Sequence, residues 1–211
     1  MRDVLFTVLC SIGTATCYLL YQFFKYRDAR HRKAALFFKG TATLFAAVLA
    51  VYGAAAYPGA GQWLIAAGLV VCAAADVALD VRFLPGMALF GLGHVLYCTA
   101  YVFRGQPRLE SLIVFSVLAV FCLIRYPKLK KYAGSKSPIP YLCYALLLCA
   151  MLGLAVSQRG ILLLGAACFV LSDSMLAYRL MMKVRSRPYD YLLLLFYYGG
   201  QLLIGASNVW G

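Results

Sequence analysis

The stretch GQWLIAAGLVVCAAADVALD, residues 61–80, decides the fold class of this chain. Fifteen uncharged residues precede Asp76, and about twenty apolar residues are the length that a helix needs to cross the ~30 Å hydrocarbon core of a bilayer. The stretch therefore predicts a membrane-spanning helix. It also raises a question, because a carboxylate inside such a helix is costly and rare.

Composition extends this prediction to the whole chain. Of its 211 residues, 64% are hydrophobic, whereas soluble domains are about half apolar. We predict an all-α polytopic bundle in a single membrane domain, 1–211, and expect no soluble domain. The first span is expected to be retained rather than cleaved as a signal peptide. The eight predicted spans are about 3–24, 34–55, 61–80, 83–103, 109–125, 138–156, 160–182 and 189–209.

The net charge of +13 is concentrated in loops. Loops at one end of the predicted bundle hold fifteen of the twenty Lys and Arg residues, mainly in clusters at 25–33, 125–136 and 179–187. The positive-inside rule places these loops in the cytoplasm and both termini outside, in a bacterial cytoplasmic membrane or the endoplasmic reticulum. A nucleic-acid partner is not expected, since no soluble domain carries a basic face.

A weak internal repeat links the two halves of the chain. ADVAL (75–79) resembles SDSML (172–176), and FGLGHVLY (90–97) resembles YYGGQLLI (197–204). Spans four apart share an orientation, so the repeat suggests two parallel four-helix halves.

Polar residues within the spans fall in the cytoplasmic half of the predicted bundle. At ~1.5 Å per residue, Lys39 and Asp76 lie about 6–8 Å from the cytoplasmic edge, Asp173 and Tyr198 about 13 Å, and His94 and Gln201 about 16–18 Å. Since five helices contribute these groups, we expect a polar cavity that opens towards the inner leaflet, with the two aspartates as catalytic residues.

Structural roles are the alternative for each residue. Asp76 and Asp173 could form ion pairs or interhelical hydrogen bonds, Lys39 could snorkel to the interface, and Asp80 is most simply a solvated helix end. His94, Tyr97, Tyr198 and Gln201 are candidate substrate-binding or supporting residues, but they and Tyr197 could serve packing alone. The eight cysteines act as small hydrophobes, and a metal or cofactor is not expected, because the only histidines are His31 and His94.

Four ordered motifs resemble the lysoplasmalogenase, or YhhN-like, family. They are AADVAL (74–79), FLPGMALFGLGHVLY (83–97), GAACFVLSDSMLAY (165–178) and YYGGQLLIGAS (197–207), and the likeness runs from about Lys39 to Ser207. The chain departs from the family pattern at Ala75, where a Gly is usual, and in KGTATL (39–44), which lacks a Pro.

The resemblance implies an eight-spanning enzyme that hydrolyses the vinyl ether bond of lysoplasmalogens in the membrane. It implies that Asp76 and Asp173 are the catalytic pair and that Lys39, His94, Ser172, Tyr198 and Gln201 are signature positions. Such hydrolysis starts with protonation of the alkenyl carbon, so it needs a protonated acid and a second carboxylate, as in glycoside hydrolysis. Lys39 or His94 would favour the ionised form of one carboxyl group or contact the head-group phosphate. A lipid or small-molecule transporter and a non-catalytic scaffold are the alternative functions.

Overall fold

A computed structural model describes residues 1–27, 29–134 and 137–211. Lys136, counted above in the second basic cluster, lies outside them. The described residues form eight long α-helices and one short 3-10 helix, Ala29–His31. The long helices are α1 (Arg2–Lys25), α2 (Arg32–Ala56), α3 (Ala60–Val81), α4 (Phe83–Arg104), α5 (Leu109–Ala133), α6 (Ile139–Gln158), α7 (Gly160–Met182) and α8 (Arg187–Trp210).

All eight long helices are long and apolar enough to cross a membrane. The protein is therefore an integral, multi-pass, all-α membrane protein, as predicted. Connections α1–α2, α3–α4, α5–α6 and α7–α8 lie at one end, here called the basic end, and the other connections and the termini lie at the opposite end. Which end faces the cytoplasm stays a prediction.

Helix α5 is longer than its predicted span. The apolar part ends near Arg125, but the helix continues through Pro127 to Ala133. Lys and Arg are good helix formers, so the helix does not have to end where its apolar residues end.

The order of helix packing fits two related halves. In the first half α1 packs on α2, α2 on α3 and α3 on α4, and α5 to α8 repeat this order. The halves meet where α2 packs on α8 and α4 packs on α6. Helices α2, α3, α4, α6, α7 and α8 thus form a ring, with α1 and α5 outside it. The packing of α6 on α7 is less extensive than that of α2 on α3.

Close approach between the halves depends on a glycine of α8. A Cβ atom at Gly205 would lie 2.5 Å from the carbonyl oxygen of Ala46 on α2, a separation that real Cβ atoms do not reach. The contact holds α2 and α8 together about one turn from Thr43 on α2 and two turns from Tyr197 on α8, which meet in the candidate site below.

We predict that Gly205→Ala lowers the melting temperature of the purified protein by about 3–10 °C, because overpacking costs about 1–3 kcal/mol. Gly199→Ala is the matched control on the same helix, since a Cβ there meets no heavy atom of the described residues within 4 Å. Thermal unfolding in detergent measures both. Equal melting temperatures for the two variants would contradict the account.

Candidate active site

Asp76 lies in the interior of the ring, where only 2% of its surface is exposed. Its Oδ2 atom accepts hydrogen bonds from Thr43 Oγ1 on α2, at 2.5 Å, and from Tyr197 Oη on α8, at 2.9 Å. The two donors are themselves 3.4 Å apart. A carboxyl group on α3 is therefore held by hydroxyl groups from two other helices.

The hydrogen bonds around Asp76 continue along α8 to α4. Gln201 Nε2 donates to Tyr197 Oη at 3.1 Å, and Tyr97 Oη donates to Gln201 Oε1 at 2.9 Å. Tyr97 and Gln201 are fully buried. Two residues predicted as supporting groups thus orient Tyr197, the donor to Asp76, rather than contacting the carboxyl group themselves.

Asp173 belongs to a second hydrogen-bonded group. Tyr144 on α6 donates its hydroxyl proton to Asp173 Oδ2, and its oxygen lies 3.2 Å from His94 Nε2 on α4. Because the tyrosine hydroxyl donates to the carboxyl group, it accepts from His94, which places the histidine proton on Nε2. His94 Nδ1 is then a buried acceptor that has no partner among the described residues.

Aromatic rings separate the two groups. The Phe169 ring centroid lies 5.4 Å from that of Tyr197 and 4.7 Å from that of His94. The His94 ring also packs on the ring of Tyr144, the donor to Asp173, with centroids 5.6 Å apart. The two carboxyl groups therefore border one aromatic-lined region.

The surroundings of the two carboxyl groups differ in exposure. Asp76, Thr43 and Tyr197 are buried, whereas Asp173 and Tyr144 are partly exposed. This exposure lies on α6 and α7, the adjacent pair that packs less extensively than α2 and α3. The second carboxyl group is thus the more accessible from outside the bundle.

Lys39 does not hydrogen-bond to Asp76. Its Nζ atom forms an ion pair with Asp80 Oδ2 at 2.9 Å, although it interacts electrostatically with Asp76. The interpretation of Asp80 as a merely solvated helix end is wrong, because its carboxylate pairs with the buried ammonium group of Lys39, which needs a counter-charge. Tyr198 donates to the Lys39 carbonyl oxygen at 3.2 Å.

Sequence reasoning missed Thr43, Tyr144 and the role of Tyr197. Helical spacing could have found two of them, because Thr43 follows Lys39 by one turn and Tyr197 precedes Gln201 by one turn. Tyr144 had no such signal. Ser172, a predicted supporting residue, is buried on α7 beside Asp173 in sequence, about 100° away around the helix.

The two carboxyl groups do not line an open polar cavity, contrary to the expectation from the sequence. The carboxyl groups are packed among hydroxyl groups and rings, while a cavity of about 320 Å³ lies nearer the basic end, where Asp80 is part of its wall. Within the described parts of the chain, no group of three His, Cys, Asp or Glu side chains could hold a metal ion.

Fold and site together define a multi-pass membrane protein with two interior carboxyl groups, each held by hydroxyl groups from other helices. The chain belongs to the YhhN family, whose model matches residues 34–208. The matched segment contains every residue of the site.

Curated relatives carry the name lysoplasmalogenase TMEM86B. The human protein is 32% identical over 155 residues, which cover 71% of this chain and 66% of the relative. The mouse protein is 31% identical over 69% of this chain and 63% of its own length. This chain thus aligns with just under two thirds of these relatives' length. No solved structure matches it significantly.

We predict that Asp76→Asn leaves the melting temperature nearly unchanged, because the amide oxygen can still accept from Thr43 and Tyr197. Asp76→Leu should lower it by several degrees, since two buried hydroxyl groups lose their acceptor, at about 1–3 kcal/mol each. Thermal unfolding in detergent distinguishes the two variants. A fall as large for Asn as for Leu would show that the negative charge, and not the acceptor, stabilises the site.

Proposed function

We propose that the protein hydrolyses the vinyl ether bond of lysoplasmalogens, releasing a fatty aldehyde and a glycerophospho-alcohol. The observation that carries the proposal is the pair of interior carboxyl groups bordering one aromatic-lined region. Membership of the YhhN family and the names of the curated relatives support it. The substrate is a membrane lipid, which suits a site within the spans.

The surroundings suggest different roles for the two aspartates. Asp76 accepts two hydrogen bonds and lies near the Lys39 ammonium group, and both features favour a carboxylate. Asp173 has the Tyr144 hydroxyl as its partner and no ion pair among the described residues. We therefore assign Asp173 as the protonated acid and Asp76 as the carboxylate.

The reaction then returns both groups to their starting states. Asp173 gives its proton to the alkenyl carbon that bears the chain, which creates an oxocarbenium ion. Water adds to the cationic carbon while Asp76 takes a proton from it. Asp76 next gives that proton to the ether oxygen, the carbon–oxygen bond breaks, and Asp173 takes the hemiacetal hydroxyl proton. One water is consumed, and an aldehyde and an alcohol are formed.

Neighbouring groups would stabilise the cation. The Asp76 carboxylate provides the opposite charge, and the Phe169 and Tyr197 rings border the same region. Aromatic faces attract cations by about 0.5–2 kcal/mol. Because the aromatic region excludes bulk water, each of these interactions is stronger there than at a surface.

We predict that Asp76→Asn and Asp173→Asn each reduce aldehyde release from lysoplasmalogen at least about 100-fold, the lower limit for loss of an acid or base. Glu110→Gln is the control, since Glu110 forms only an exposed ion pair 3.9 Å from Arg159. Aldehyde is followed with purified, folded protein. Wild-type rates in both Asn variants would overturn the proposal.

The assignment of roles predicts which limb of the pH–rate profile each neighbour controls. Tyr144→Phe, which removes the donor to Asp173, should move the alkaline limb of kcat, where the acid loses its proton. Thr43→Val, which removes a donor to Asp76, should move the acid limb, where the base gains one. The opposite pattern would exchange the roles of the two aspartates, and profiles unchanged in both variants would argue against either role.

A further inference from the structure

A basic cavity lies beside the candidate site at the basic end of the bundle. It has a volume of about 320 Å³, and its wall is formed by residues of α1, α2 and the end of α3 together with Arg27, which follows α1. Three cationic side chains line it, Lys25, Arg27 and Arg32, with Tyr21 and Asp80 on the same wall.

Among the described residues, the positive charges that line the cavity are not fully balanced by carboxylates. Asp80 is already paired with Lys39, and the Asp190 carboxylate that binds Lys25 at 2.8 Å also binds Arg179 at 2.5 Å. Arg27 stacks its guanidinium group on the Phe23 ring, 4.3 Å from the centroid. Arg32 donates one N–H to the Asp80 carbonyl oxygen at 2.9 Å, out of the five N–H groups that an arginine carries. The cavity therefore suits an anion.

The position of the cavity fits the position of Asp76. Asp80 lies one helical turn from Asp76, about 6 Å along α3 at ~1.5 Å per residue. Lys39 Nζ, which pairs with Asp80, lies 5.9 Å from the ring centroid of Tyr21 in the cavity wall. In a lysoplasmalogen, about six single bonds of ~1.5 Å separate the phosphorus atom from the first alkenyl carbon, roughly 7 Å in extended form.

The order of groups along the lipid also matches the order of groups in the protein. From the cavity inward come Asp80 and Lys39, then Asp76, then the partly exposed Asp173. Along the lipid come the phosphate, the glycerol, the carbon that water attacks and the carbon that is protonated. The order of Asp76 and Asp173 thus matches the order of the two carbons on which they are proposed to act.

We propose that this cavity binds the phosphate group of the lysophospholipid, with Arg27 and Arg32 as its main ligands. The inference rests on the proposed function and names the substrate contact that the carboxyl groups do not supply. Arg27 and Arg32 take the place of Lys39 and His94, which the sequence suggested as phosphate ligands. Lys39 is paired with Asp80, and His94 lies in the aromatic interior beside Phe169.

The test uses a lipid that the enzyme cannot cleave. A labelled 1-O-alkyl lysophospholipid has no double bond to protonate, so its binding to full-length protein in nanodiscs measures recognition alone. The Arg27→Gln/Arg32→Gln double variant should raise its Kd about ten-fold, as expected for lost charge-assisted hydrogen bonds. The Kd of 1-O-alkylglycerol, which lacks phosphate, should stay within about two-fold.

Two controls separate recognition from folding. Arg125→Gln/Lys128→Gln removes two cations at the same end outside the cavity and should leave both Kd values unchanged. Single Arg27→Gln keeps the Arg32 bond to Asp80 and should raise the Kd of the phospholipid alone. Inorganic phosphate should compete with the phospholipid in the wild type if the cavity binds any phosphate, whereas absence of competition assigns the site to the lipid head group.

Two results would overturn the inference: weaker binding of both ligands by the cavity variants, or unchanged binding of the phospholipid. The proposed hydrolysis fails separately, if wild-type protein releases no aldehyde from lysoplasmalogen. Because the alkyl ligand is not hydrolysed, the binding result stands in either case.

Discussion

The need to satisfy two carboxyl groups inside the hydrocarbon layer constrains the rest of this structure. A polar group in hydrocarbon that finds no hydrogen-bond partner is strongly disfavoured. Asp76 is satisfied by hydroxyl groups from α2 and α8, and Asp173 by one from α6. These bonds require that helices distant in sequence meet around each aspartate. Glycines such as Gly205 allow the helices to approach each other closely enough.

The two halves of the chain solve this problem in similar ways but with different results. In each half a hydroxyl group on the second helix binds the aspartate on the third and contacts a residue on the fourth helix of the other half: Thr43 contacts Tyr197, and Tyr144 contacts His94. The difference lies in accessibility, since Asp76 is buried and Asp173 is partly exposed. Unequal surroundings suit the proposed acid and base, because the two groups must hold protons differently.

Much of the fold could be predicted from the sequence, because a membrane span has a length and an apolarity that can be counted. The site was only partly predictable. Asp76, Asp173, His94 and Gln201 are conspicuous as polar residues among apolar ones. Thr43 and Tyr144 are not conspicuous, because hydroxyl residues are common in spans and only the rotation of each helix shows which ones face a carboxyl group. The Lys39–Asp80 pair likewise depends on the packing of α2 on α3, which spacing within either helix does not determine.

Proton transfer to carbon is the central claim, and deuterium incorporation tests it most directly. Wild-type protein cleaves lysoplasmalogen in D₂O, the aldehyde is reduced at once to prevent exchange, and its deuterium is located by mass spectrometry. The account predicts a single deuterium on the carbon next to the former carbonyl group, in an amount equal to the product formed. An aldehyde released without deuterium at that carbon would contradict it.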